Sequence, residues 1–178
     1  MAEPTDRDLA LRARRGDADA YGELVRRYQT SVFNVCYRLL SERRDAEDLT
    51  QEAFIRAYDR LDTFDLDRPF GPWIRRVAAN QCLNRLQHSK VADVPLDEER
   101  DKDTKDQPES AREQIEQAEA ARAAILALPP HYRAVIELRH FQEMSYEEIA
   151  AAVNIPLSDV KSRLFRARKM LADKLVRG

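Results

Sequence analysis

The sequence predicts an all-α protein: two small helical domains joined by a flexible acidic linker, the second carrying a helix-turn-helix. Three observations predict it. Glycine is scarce, 4 in 178 residues, and charged residues make up 35%, a composition that suits helices with wet outer faces. Apolar residues recur at three- and four-residue spacing in nearly every segment without a breaker. Between two such regions, Asp93 to Glu109 loses the period altogether. That stretch carries Asp93, Asp97, Glu98, Glu99, Asp101, Asp103, Asp106 and Glu109 against Arg100, Lys102 and Lys105. It cannot bury enough apolar surface to offset its ordering entropy. The expected domains are therefore 1–92 and 111–178, with 93–110 as linker.

Each element follows from its residues. Asp6 to Arg15 reads as a short helix with Leu9 and Leu11 as apolar points, ended by Gly16. Asp17 to Leu40 keeps a helical period through Tyr21, Leu24, Val25, Tyr28, Val32, Val35, Cys36 and Leu39. After a polar break at Ser41–Arg44, Asp45 to Leu61 aligns Ala46, Leu49, Ala53, Phe54 and Ala57 on one face. Asp62 to Pro72 reads as an aspartate-rich loop containing Phe64 and Phe70, and Trp73 to Gln87 as a helix burying Ile74, Val77, Ala78 and Cys82. Beyond the linker, Ser110 to Leu128 places Ile115, Ala118, Ala121, Ile125 and Leu128 on one face. Pro129 and Pro130 break it, and Pro130 suits the first turn of a helix through Phe141.

Ser145 to Arg177 organises the rest. Ser145 with Glu148 makes a capping box for a helix through Val153. Asn154 tolerates a left-handed turn, and Pro156 prevents continuation. Ser158 is the expected cap of a second helix, on which Val160, Leu164, Ala167, Leu171 and Leu175 share a buried stripe. Ser158, Lys161, Ser162, Phe165, Arg166 and Lys169 lie on or near the opposite face, in a stretch rich in Lys and Arg. A short helix, a tight turn and a basic helix suit insertion into duplex DNA. An amphipathic pair with a solvated basic face fits the same spacing.

The formal net charge is −2, but it is uneven, so an acidic partner is expected for the C-terminal part alone. The chain has no apolar run long enough to span a bilayer and opens with no signal peptide, which predicts a cytoplasmic protein without membrane insertion. Cys36 and Cys82 fall in apolar helical patterns and are expected reduced and buried. His88, His131 and His140 show no paired spacing with them, so no metal or other cofactor is expected. There is no glycine-rich phosphate loop and no nucleophile beside a plausible base, so an enzyme is not expected.

Two long motifs carry a family resemblance. Asp45 to Tyr58, DAEDLTQEAFIRAY, resembles the second conserved region of bacterial sigma factors. Leu128 to Arg168, with SYEEIA from Ser145 and VKSRLFRAR from Val160, resembles their C-terminal promoter-binding domain. Two domains and a short linker are similar to the extracytoplasmic-function group. The resemblance implies a factor that binds core RNA polymerase, directs it to promoter DNA and helps open the duplex, with an anti-sigma factor as controlling partner. It implies polymerase docking by Asp48, Gln51 and Glu52, with Phe54 supporting or joining the contact. It implies handling of the downstream promoter element, partly single-stranded, by Phe64, Phe70, Trp73, Arg76, Asn80 and Asn84, although Phe70 and Trp73 also read as core. It implies that Ser158, Lys161, Ser162, Phe165 and Arg166 meet the upstream duplex element, with Arg163, Arg168 and Lys169 on phosphates. Two departures from the family pattern stand out: the aspartates 62, 65 and 67 in the loop, and Ser158-Asp159 where Gly-Thr is common. A stand-alone helix-turn-helix regulator would share the C-terminal domain but has no use for the docking motif. A helical adaptor would not need the basic helix.

Overall fold

The structure, a computed structural model, describes residues 2–88 and 109–177. The expected linker lies outside the described residues except for Glu109 and Ser110, which already belong to a helix.

Eight α-helices are present among the described residues: α1 (Asp6–Arg14), α2 (Ala18–Leu40), α3 (Arg43–Asp59), α4 (Phe70–His88), α5 (Glu109–Leu126), α6 (Pro130–Ile136), α7 (Tyr146–Val153) and α8 (Leu157–Arg177). A 3₁₀ turn, Leu61–Thr63, follows α3, and a π-helical turn, Glu137–Phe141, follows α6.

The N-terminal unit forms around α2, which packs against α1, α3 and α4. Thr5 and Asp8 close a capping box on α1. Gly16, at φ +93°, makes the turn that lets α2 start at once, where the Asp17 side chain accepts from Ala20 N–H. The core takes large side chains from α2 (Leu24, Val32, Val35, Leu39) and small ones from its partners (Ala46, Ala53 and Ala57 of α3; Ala78 and Ala79 of α4), all buried. Alanine at these points lets the helix axes approach, and Phe54 and Ile74 fill the remaining space.

Several sequence expectations are corrected. Helix α3 begins at Arg43 rather than Asp45, because the Glu42 carboxylate accepts from the N–H groups of Arg44 and Asp45 and caps it. Helix α4 begins at Phe70 and runs through Gly71-Pro72. Proline is tolerated in a first turn, where its missing N–H has no intrahelical acceptor. Glycine at 71 is a packing requirement: a Cβ there would lie 2.8 Å from the Tyr28 ring.

In the C-terminal unit, α8 packs on α5, α6 and α7. The capping box of Ser145 and Glu148 is present, and Asn154 is left-handed at φ 54°. Ser158 is not the cap of α8. The helix starts one residue earlier, and the Pro156 carbonyl receives the N–H groups of Asp159 and Val160. Of the expected stripe on α8, Val160, Leu164 and Ala167 are buried, Leu171 is half-buried, and Leu175 is exposed because the helix has outrun its neighbours. The expected face of α5 is likewise covered only toward its C-terminus: Leu128 just beyond it is buried, while Ile115 and Ala118 are exposed.

The buried apolar side chains of the two units form one continuous cluster. They meet where the C-terminal end of α2 runs into α6 and the π-helical turn. Arg133 of α6, 4% exposed, donates to the Leu39 carbonyl through Nε (3.1 Å) and Nη2 (2.7 Å). That carbonyl lies in the last turn of α2, where intrahelical donors run out, so the guanidinium supplies the missing ones.

Candidate nucleic-acid interface

Three groups of side chains are candidates for contact with partners. The first is on α3. Asp48, Gln51 and Glu52 are exposed and lie at i, i+3 and i+4, on one face. Phe54 is 5% exposed and points into the core, so its supporting role from below is the one this geometry allows. The sequence reading missed Ile55, which is 65% exposed, and Tyr58, 45% exposed. Ile55 lies three residues beyond Glu52 and Tyr58 six, so they continue the polar face with an apolar end. The available signal was that Ile55 breaks the apolar stripe: the period places it outside.

The second group surrounds the start of α4. Phe64 (3% exposed) and Phe70 (1%) are buried, which corrects the expectation of exposed aromatic platforms there and leaves Phe70 with its core reading. Their ring centroids lie 5.4 Å apart and edge-on, and Trp73 packs on both at 4.9 and 5.5 Å. Trp73 itself is half-buried, so it has both a packed side and an accessible one. The cluster is tied down from α1: Arg14 Nε donates to the Leu61 carbonyl at 2.9 Å and its Nη2 to the carbonyl of Phe64.

The loop aspartates do not stand as a bare negative wall. Asp65 accepts from the backbone N–H of Asp67 and pairs with Arg68, while Asp67 pairs with Arg7. Further along α4, Asn80 and Asn84 are exposed and Arg76 is partly exposed. Arg85 pairs with Asp45 at 2.8 Å, which fixes the polar edge of α4 against the start of α3. Arg76 behaves differently from its neighbours: Nη2 lies 3.1 Å from Glu148 of α7, and its Nε is buried without a hydrogen-bond partner.

The third group is on α8. Ser158, Lys161, Ser162, Phe165, Arg166 and Lys169 are exposed, and Arg163 is half-buried. They stand on a helix whose other side is held by the buried Val160, Leu164 and Ala167. Phe165 is 70% exposed. A phenyl ring left in water amid cations is suited to packing on a base, such as a thymine methyl. Arg168 Nε donates to His140 Nε2 at 3.3 Å, which orients it from the π-helical turn. Burial and the neighbouring arginines push the His140 imidazole below its ordinary range, so the neutral ring that can accept this bond is favoured.

Nothing in these groups forms a catalytic constellation. Among the described residues no cluster of three or more His, Cys, Asp or Glu could hold a metal, and no helix is long and apolar enough to cross a membrane. Cys36 and Cys82 are buried, free thiols.

Comparison with known proteins matches both units to described families. Residues 24–91 match the family described as sigma-70 region 2, and residues 118–171 that described as sigma-70, region 4. The chain is 37% identical to the ECF RNA polymerase sigma factor SigW of Bacillus subtilis, over 91% of this chain and 92% of that one. It is 35% identical to the ECF RNA polymerase sigma-E factor of Escherichia coli, over 96% and 94%. Among solved structures it is similar to CnrH in complex with the cytosolic domain of CnrY, with a TM-score of 0.59 and 27% identity, over 97% of each chain. The fold is also that of the sigma factor RpoE bound to the anti-sigma factor NepR from Bartonella quintana, with a TM-score of 0.57 and 19% identity, over 87% of this chain and 96% of that one.

Proposed function

The chain belongs to the extracytoplasmic-function group of the sigma-70 family, and from that premise we propose which side chains perform each part of its work. As an alternative sigma factor it directs RNA polymerase to promoters and starts transcription. The polymerase performs the chemistry, and this chain is a recognition factor rather than an enzyme. Its place of work is the cytoplasm, where polymerase and chromosome are.

The exposed face of α8 carries the residue assignment. Lys161, Ser162, Phe165 and Arg166 project from a helix anchored by Val160, Leu164 and Ala167. A rigid helix with cationic, hydroxyl and aromatic groups on its free face supports reading of the duplex upstream element. Arg166 takes a guanine edge, Phe165 a thymine methyl, and Arg163, Arg168 and Lys169 the phosphates. Asp48, Gln51 and Glu52, with Ile55 as an apolar anchor, dock on core polymerase. A central apolar side chain ringed by polar groups is the usual anatomy of a strong contact. Trp73, Arg76, Asn80 and Asn84 handle the downstream element, Trp73 by stacking and the others by polar contact with unpaired bases and backbone. Phe64 and Phe70 hold Trp73 in place. An anti-sigma factor controls the chain, in keeping with its likeness to CnrH, whose structure holds a protein partner, the cytosolic domain of CnrY.

Footprinting of reconstituted holoenzyme tests the division of labour. The full chain is expected to protect both promoter elements, and the K161A/R166A variant to lose the upstream footprint alone. Equal loss of both would overturn the assignment.

A further inference from the structure

We propose that Asp159 is a specificity-determining residue of α8, its carboxylate accepting from the exocyclic amine of a cytosine in the upstream element. The inference rests on the reading of α8 as the helix that enters the duplex.

Position comes first. Asp159, Ser162 and Arg166 stand at i, i+3 and i+7 of α8, so they form one line along the helix. All three are exposed. The buried residues of α8, Val160, Leu164 and Ala167, lie off that line. Asp159 is in the first turn, and the N-terminal residues of a recognition helix are those that meet base edges.

The carboxylate has no other task within the chain. Among the described residues it makes no ion pair and no side-chain hydrogen bond. An acid at the third position of a helix commonly reaches back to the N–H of the residue that precedes the helix. Here that residue is Pro156, which has no N–H. The other ordinary partner is a cation four residues on. Arg163 occupies that place, yet it is half-buried and lines a groove with Pro130, His131, Val153 and Ile155. What is left is attraction to the helix dipole, which selects no partner for the side chain.

Chemistry then selects the ligand. An ionised carboxylate only accepts hydrogen bonds. Phosphate repels it, so its place in line with Ser162 and Arg166 weakens binding unless it meets a donor. The base donors in the major groove are the amines of adenine and cytosine. The adenine amine stands between two acceptors, its own N7 and the thymine O4. The cytosine amine has an acceptor, the guanine O6, on one side only, so cytosine is the base that fits. The seven residues from Asp159 to Arg166 span about 10.5 Å of helix. At about 3.4 Å per base-pair step, the cytosine lies within about three steps of the guanine proposed for Arg166.

The test uses holoenzyme reconstituted from core polymerase and the full-length chain, parent or variant. It is presented with duplexes built on a promoter recovered from genomic DNA by run-off transcription, the upstream element fully randomised, and the bound sequences are counted. The parent should favour cytosine about 5- to 20-fold at one position, the lower part of the range for a base contact. D159A should flatten that position alone, to within about twofold between bases on the same scale. D159N keeps the shape but both donates and accepts, so it should move the preference toward adenine, whose N6 and N7 an Asn side chain matches. Circular dichroism and thermal melting of each variant separate lost folding from changed preference. A D159A profile equal to the parent's overturns the proposal. So does a uniform gain on all sequences, which would make the carboxylate a phosphate-repelling charge only. The reading of α8 fails separately, and the proposal with it, if R166A keeps the parent's preferences at every position.

Discussion

Arg38 and Glu137, 99 positions apart in the chain, form a two-pronged ion pair at 2.6 and 3.0 Å, with the carboxylate side chain wholly out of water. It joins the N-terminal unit to the C-terminal unit through their side chains. Arg38→Ala leaves Glu137 with Gln142 alone. The expected loss of stability is about 2–3 kcal/mol, below the figure for a trapped charge because the units can part and rehydrate the carboxylate. Urea unfolding of both proteins checks it, and a change under about 0.5 kcal/mol, the range of ordinary surface substitutions, would contradict it.

Docking is expected to depend on the whole α3 face. Reversing the charges at Asp48 and Glu52 should abolish binding to core polymerase with helicity intact. Ile55→Ala should weaken it by about 1–2 kcal/mol, as for an apolar anchor truncated at a contact. Titration of labelled chain into core polymerase measures both, and an Ile55→Ala affinity equal to the parent's would place Ile55 outside the contact.

On α8 the two proposed classes of arginine are expected to separate by salt. Arg166→Ala should reduce promoter-specific binding by about 1–3 kcal/mol, the range of a base-reading arginine. Arg168→Ala should weaken all sequences alike and flatten the salt dependence. A salt-resolved binding series distinguishes them, and the reverse pattern would exchange their roles.

The C-terminal unit is expected to lose stability on mild acidification. Burial and nearby arginines lower the imidazoles of His131 and His140 in the folded chain. The unfolded chain therefore takes up protons first, so stability is full above the ordinary histidine range and falls as pH drops through it toward the lowered folded values. Thermal melts of the parent and of H131Q/H140Q across that window check the sign, and the variant should show the shallower dependence. A parent that grows more stable on acidification would contradict it.

Much of this was legible in the sequence because it is local. Capping chemistry announced α7, and Asn154-Ile155-Pro156 its turn, while the period of Val160, Leu164 and Ala167 gave the orientation of α8. What was not legible depends on the other unit or on side-chain competition. Glu42 won the cap of α3 because its longer carboxylate reaches two N–H groups, which no spacing rule reveals. Phe64 and Phe70 have the composition of a base-stacking loop, yet each found a ring to pack on. Nothing in its local spacing marks Glu137 for burial, and only the α2 end brings its partner.

Run-off transcription tests the central claim most directly. Core RNA polymerase is incubated with fragmented genomic DNA from the source organism, with and without this chain. Discrete transcripts from a limited set of start sites should appear only with the chain, and should vanish with the Asp48 and Glu52 charge reversals. No chain-dependent transcripts, or transcripts indifferent to those reversals, would contradict the account.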